Sequence, residues 1–371
     1  MAGLYIHIPF CKKLCYYCDF HFTVSLKTKD SFLNAVVHEI EMRKGELHNE
    51  PIKTVYFGGG TPSVLTIEEL RQIVNALNSS FDVSNCIEFS IELNPDDVTN
   101  DYLNGLKDLG FNRVSMGVQS FNNDLLKFLN RRHSAEEAQV AVAHLKNTFD
   151  NYTIDLIYGI PSQTIEHWAN DLDSLKKINP PHFSAYQLGI EDKSVFGKWQ
   201  KQNKFSPADE KIILIQYNQL IDFAWQQGYE HYEISNFCKP STYSMHNKGY
   251  WTGEKYLGFG PSAHSYLGNQ RMANVNINEQ YIQRLISHKL PYEVEVLRIK
   301  DIFNDLLLTG FRTIWGISMA DIDLLCSNKE NFMRKIKPFI EKNWVVITDT
   351  QVRITEEGML LTDFILRELF E

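Results

Sequence analysis

Over the first two-thirds of the chain, short runs of β-branched, aromatic and aliphatic residues alternate with longer stretches in which apolar positions recur every three to four residues. The runs at 4–8, 54–57, 87–91, 113–117, 153–157 and 183–186 read as strands. The stretches at 30–44, 66–77, 100–109, 135–148, 165–178 and 207–227 each carry one apolar stripe and read as helices. Strand followed by helix, six times over, predicts parallel βα units joined by right-handed crossovers. The expected fold is therefore α/β, an open, partial (β/α)6 barrel over residues 1–235. Residues 236–300 show weaker periodicity and are rich in Gly, Tyr and Asn, which predicts an irregular connector covering the barrel mouth. From residue 301 the pattern changes again. Helical stretches at 302–309, 319–325 and 331–342 precede Trp344-Val-Val-Ile-Thr, Asp349-Thr-Gln and Val352-Arg-Ile-Thr, a hairpin signal, and a last helix spans 358–369. This order predicts a small winged-helix-like α+β domain over 301–371.

Composition narrows the picture. At 371 residues the chain exceeds one ordinary core, in keeping with a large domain and a smaller one. Its formal charge of −9 argues against a general phosphate-binding surface and so against nucleic acid. The N-terminus has no basic leader, and no apolar run approaches the roughly 20 residues needed to cross a bilayer, so a cytoplasmic setting is expected. Thiols stay reduced there, and a cysteine cluster means metal or redox chemistry. Three of the six cysteines, Cys11, Cys15 and Cys18, stand within eight residues. Three thiolates on one loop can hold three corners of a cube-shaped iron–sulfur cluster and leave the fourth iron without a protein ligand. The competing reading is a zinc site completed by His7, Asp19 or His21. Structural zinc usually draws on two separated ligand pairs, and a single loop favours the cluster. Cys86, Cys238 and Cys326 are far apart in sequence and read as buried small hydrophobes.

In parallel α/β folds ligands gather at the carboxyl ends of the strands. Here those ends lead into distinctive polar loops: Gly58-Gly59-Gly60-Thr61-Pro62, Glu92-Leu-Asn94-Pro95, Gly117-Val-Gln119-Ser120 and Tyr158-Gly-Ile-Pro161. The triple glycine lacks the Lys-Ser/Thr of a phosphate loop and the GxGxxG spacing of a dinucleotide fold. A loop without side chains lets its carbonyls approach the amino group of an amino-acid ligand. Asp155 lies within an apolar strand, where an unpartnered carboxylate is costly.

With Tyr17 before the last cysteine, the loop reads CxxxCxΦC and resembles the signature of the radical S-adenosylmethionine (SAM) superfamily. The likeness extends over nearly the whole chain to the branch holding oxygen-independent coproporphyrinogen III oxidase and the heme chaperones. It rests on Tyr5-Ile-His-Ile-Pro-Phe-Cys11, Phe57-Gly-Gly-Gly-Thr-Pro62, Gly117-Val-Gln-Ser-Phe121 and Ile154-Asp-Leu-Ile-Tyr-Gly-Ile-Pro161. The resemblance implies a [4Fe–4S] cluster on Cys11, Cys15 and Cys18, with SAM chelating the open iron. It also implies SAM contacts at Tyr5, Tyr17, Gly59, Gly60, Thr61, Glu92, Gln119, Arg131 and Asp155. His246-Asn-Lys-Gly-Tyr250-Trp251 matches the HNxxYW motif of the chaperones and implies heme beside His246, Tyr250 and Trp251, with His246 as its ligand.

Two departures set the chain apart from the oxidase. Phe20 stands where the oxidase pattern has a further cysteine, and ten residues precede Cys11 where the oxidase has a long segment. The resemblance therefore implies first a heme chaperone that passes heme to an acceptor protein, with respiratory proteins among the candidates. The alternative is coproporphyrinogen oxidation or another radical reaction on a porphyrin. A homodimer and transient membrane association stay open.

Overall fold

A computed structural model describes all 371 residues. The six expected strands form β1 (Ala2–Ile8), β2 (Ile52–Gly59), β3 (Glu88–Leu93), β4 (Arg113–Gln119), β5 (Tyr152–Tyr158) and β6 (His182–Gln187). They lie side by side in sequence order, and every neighbouring pair is parallel. Between them run α1 (Lys29–Met42), α2 (Ile67–Ser80), α3 (Asn100–Asp108), α4 (Asn123–Phe128), α5 (Ala135–Thr148) and α6 (Ile165–Ile178), followed by α7 (Val195–Lys201) and α8 (Glu210–Gln226). Local sequence fixes several starts. Thr66 with Glu69 and Ser134 with Glu137 form reciprocal capping boxes at α2 and α5. The outer faces of the strands and the inner stripes of the helices merge into one core of 54 buried residues, which sets the sheet as a rigid platform for its loops.

Residues 236–300 differ from the irregular cover expected. β7 (Glu230–Glu233) and β8 (Asn236–Cys238) add antiparallel strands beside β6. The chain then passes through α9 (Met245–Trp251) to β9 (Tyr256–Phe259), which pairs parallel with β1. β10 (His264–Tyr266), β11 (Gln270–Asn274), α10 (Asn278–Ile286) and β12 (Tyr292–Val296) continue the sheet outward, to twelve strands in all. The sheet stays open, with β12 and β7 at its two ends. β8 to β11, three to five residues long and holding Gly, His, Gln, Arg and Asn, are too short and too polar to show a period of two, whereas β12 alternates as Tyr-Glu-Val-Glu-Val.

Past residue 298 come α11 (Ile299–Gly310), β13 (Ile317–Ser318), α12 (Met319–Leu325), α13 (Lys329–Glu341), β14 (Val345–Ile347), β15 (Gln351–Ile354) and α14 (Thr362–Leu369). The hairpin β14–β15 takes β13 as a third strand, and these elements enclose a separate core around Phe303, Phe311, Ile336 and Val352. The α+β domain is stitched to the main sheet at β7, where Ile234 N–H donates to Arg312 C=O and Ile314 N–H to Tyr232 C=O, both at 3.1 Å. No helix is long and apolar enough to cross a membrane.

Candidate functional site

The loop after β1 carries the three cysteines and is closed at its base by a backbone clasp. Thr23 N–H donates to Pro9 C=O (2.8 Å), and Cys11 N–H donates to Thr23 C=O (3.0 Å). Neighbouring loops grip it from both sides. Lys12 pairs with Asp97, which also accepts from Ser63 Oγ (2.8 Å), while Arg132 reaches Asp96 at 2.5 Å. The loops after β1, β2, β3 and β4 thus form one tied rim. Thr61 Oγ1 donates to Cys11 Sγ (3.3 Å), and Arg131 Nη1 donates to Cys15 Sγ (3.4 Å). Burial pushes the Cys11 thiol up to about 11 and the Cys18 thiol up to about 12. Each becomes a thiolate only when a cation replaces its proton, so metal loading here releases protons. No three His, Cys, Asp or Glu side chains converge on one point, as a single zinc ion would require. A cluster asks for less convergence, because each thiolate takes a different iron.

The glycine loop is shaped by close approach. Gly59 has φ +110°, and a Cβ on it would fall 2.5 Å from His7 Nδ1. A Cβ on Gly60 would fall 2.7 Å from Phe10 C=O. Only glycine lets this strand end lie flat beside the cysteine loop. Next to it, Glu92 accepts from Tyr56 OH (2.8 Å) and from Gly59 N–H (3.3 Å), and burial raises its carboxyl to about 7. Gln119 sits in the left-handed region (φ +71°) where the register between β4 and β5 slips by one residue, a bulge that re-aims its side chain. Arg131 spans the site: Nη2 donates to Asn94 Oδ1 (2.7 Å) and Gly117 C=O (2.6 Å), and Nη1 also reaches Tyr17 OH at 3.4 Å. Tyr5 bonds His7 Nδ1 through its hydroxyl (3.1 Å), and its ring lies 6.2 Å from that of Tyr56.

Two buried polar atoms on these residues have no protein partner, Arg131 Nε and Asp155 Oδ1. The other Asp155 oxygen accepts from Ser115 Oγ at 2.9 Å, and burial holds this carboxyl above its ordinary range. An unpartnered buried donor on Arg131 and an unpartnered buried acceptor on Asp155 fit a polar ligand that supplies both complements.

The HNxxYW segment forms α9. Glu88 seats it, accepting from Met245 N–H (2.7 Å) and His246 N–H (2.9 Å), a buried carboxylate at a helix N-terminus. His246 is 3% exposed, and both its ring nitrogens are engaged: Nδ1 with Thr54 Oγ1 and Nε2 with Tyr250 OH, each at 2.8 Å. Burial lowers its pKa to about 3, so the imidazole is neutral. Its ring stacks on Tyr56 at 5.1 Å, and Tyr56 in turn holds Glu92. The structure therefore brings the motif's histidine under the Glu92 end of the site rather than to the surface. Trp251 is half-buried at the end of α9, and Phe20 is 69% exposed.

The sequence reading missed several supporting residues. Asp171 on α6 accepts from Ser120 Oγ (2.8 Å) and Phe121 N–H (2.7 Å) and so fixes the loop after β4. An acidic residue on the apolar stripe of a helix is its only mark in the sequence. Glu88 and Thr54 sit at strand starts, where their inward direction depends on a register that the sequence leaves open.

Residues 5–175 match the Radical SAM superfamily. The chain is 33% identical to the heme chaperone HemW of Lactococcus lactis, over 96% of this chain and 94% of that protein. The chain belongs to the HemW family of radical SAM proteins. It is also 31% identical to the Bacillus subtilis HemW, over 97% of both chains. Among solved structures, coproporphyrinogen III oxidase (HemN) of Escherichia coli is 26% identical, with a TM-score of 0.86, and the likeness covers all of this chain and 90% of that one. Radical SAM membership implies a [4Fe–4S] cluster and SAM.

Proposed function

We propose that this HemW family member is a heme chaperone with a retained SAM and cluster core. The carrying observation is near full-length similarity to proteins named as heme chaperones, in a chain whose cysteine rim is intact. Cys11, Cys15 and Cys18 would hold the cluster. Tyr5, Tyr17, Gly59, Gly60, Thr61, Glu92, Gln119, Arg131 and Asp155 would line the SAM site. When bound, the cluster supplies one electron at a time to SAM. The chain's own residues bind and orient. The glycine-loop carbonyls face an amino group, Arg131 presents its free Nε to a carboxylate, and Glu92 and Asp155 accept from hydroxyls. All six cysteines are free, which fits a reducing compartment such as the cytoplasm.

The test is anaerobic reconstitution followed by heme titration and transfer. Wild-type chain should gain a Soret band and pass heme to an apo-acceptor. No heme uptake in either redox state would reject the chaperone. The second reading, porphyrinogen oxidation, draws on the likeness to the E. coli oxidase, and coproporphyrinogen decarboxylation by the same sample would establish it.

Glu92 gives this site a pH dependence. To accept two ribose hydroxyls it must be ionised, yet burial holds it at about 7. SAM affinity should therefore rise about tenfold per pH unit on approaching pH 7 and level off above, with proton release in calorimetry. Glu92→Gln should bind weakly and without that slope. For folding the sign is opposite. The folded chain retains a proton that the unfolded chain releases near 4.5, so this stabilisation is present below that pH and is lost on rising towards 7.

A further inference from the structure

We infer that heme docks on the outer face of the cysteine loop, with His21 Nδ1 as its iron ligand and Lys27 facing a propionate. This rests on the chaperone reading and names a site for it.

The loop exposes apolar side chains where most of the chain buries them. Phe20 is 69% exposed, Val24 54% and Leu26 43%. Phe20 and Leu26 are six residues apart, and the clasp at Thr23 ties the chain between them to Pro9 and Cys11. Even fully extended, those six residues span only about 20 Å, so the three exposed side chains stand on one short stretch of loop. A contiguous exposed apolar patch marks a binding surface.

Charge selects the occupant. In a chain of net −9, residues 11–29 hold four lysines and one aspartate. Lys12 is paired with Asp97 and Lys29 with Glu69, and Lys13 Nζ donates to Arg131 C=O (3.4 Å), while Lys27 is exposed and has no partner. An apolar face beside a free ammonium group complements a flat apolar molecule that carries carboxylates.

The ligand follows from the state of each imidazole. A metal-binding histidine characteristically donates its other ring N–H to a fixed acceptor, which sets the tautomer and turns the lone pair towards the metal. His21 has this arrangement. Its Nε2 donates to Asn278 Oδ1 at 2.7 Å, and Asn278 is held as the buried first residue of α10. Its Nδ1 has no protein partner and keeps contact with solvent. His246, by contrast, would have to break bonds to both Thr54 and Tyr250 and leave the barrel interior.

Hemin titration of the full chain purified in air, before cluster reconstitution, keeps cluster absorption out of the Soret region. His21→Ala should shift the Soret maximum and raise the hemin Kd at least about tenfold. Phe20→Asp and Lys27→Glu should each weaken binding several-fold without moving the band, with thermal melts unchanged because both side chains are exposed. If wild type binds hemin and all three variants match it, this docking site is wrong while the chaperone reading stands. The same holds if His246→Ala alone removes the Soret band. Absence of hemin binding by wild type overturns the chaperone reading itself, and this inference with it.

Discussion

Arg131→Met should leave the fold intact and cut SAM affinity about tenfold, the loss expected when the one charge-assisted hydrogen bond of about 1.5 kcal/mol or more that its free Nε offers is removed. The reason lies in what the guanidinium joins. It reaches the thiol of Cys15, the hydroxyl of Tyr17, the amide of Asn94 and the carbonyl of Gly117. Those groups belong to the loops after β1 and β3 and to the end of β4. Without the cation, Asn94 Oδ1 and Gly117 C=O lose their donor inside the site, and Cys15 Sγ loses its guanidinium contact. Arg131→Lys should recover only part of the loss, since an ammonium on a flexible stem cannot span two acceptors as the planar fork does. Equilibrium dialysis with labelled SAM and iron analysis on reconstituted samples separate ligand binding from cluster loading. Affinity within threefold of wild type in Arg131→Met would remove Arg131 from the site.

The parallel half of the molecule was legible because its strands are long, apolar and separated by helices of clear period. All six predicted strands, and the helices between them, appear within a few residues of their expected places. The cysteine spacing and the glycine run were legible for a different reason: each is a local pattern whose chemistry does not depend on tertiary context. What stayed hidden was set by partners far away in sequence. The short strands β10 and β11 show little apolar periodicity, and two of their polar residues, Ser265 and Asn274, face a buried charge pair of Glu39 and Arg43 more than 200 positions earlier. The role of His246 was hidden in the same way. Whether an imidazole is a free ligand or a satisfied core group depends on Thr54 and Tyr250, and only one of these is a sequence neighbour. His21 shows the converse, since its tautomer is fixed by Asn278 across 257 positions.

The largest stability effect should come from that hidden charge pair. Glu39 on α1 and Arg43, one turn later at the cap of that helix, are both 0% exposed. Arg43 donates to Glu39 Oε1 (2.9 Å), Gly258 C=O (2.7 Å) and Ser265 Oγ (3.0 Å), and its guanidinium lies 4.7 Å from the Tyr292 ring. Glu39 accepts from Tyr281 OH (2.6 Å), Gly260 N–H (2.9 Å) and Asn274 Nδ2 (2.8 Å). One ion pair therefore fastens α1 to β9, β10, β11, β12 and α10. Arg43→Met strands a buried carboxylate and should cost about 3–5 kcal/mol, whereas Glu39→Gln/Arg43→Met should recover part of this because no net charge is then buried. Urea unfolding reads the cost, and limited proteolysis should cut within 256–297 before the parallel core. The consequence reaches the site, because β9 pairs with β1, the strand that delivers Cys11, and α10 carries the Asn278 that orients His21. Arg43→Met should therefore also weaken hemin binding, although residue 43 lies outside the proposed docking surface. A variant with wild-type urea stability would show that the outer strands hold to β1 by their backbone ladder alone.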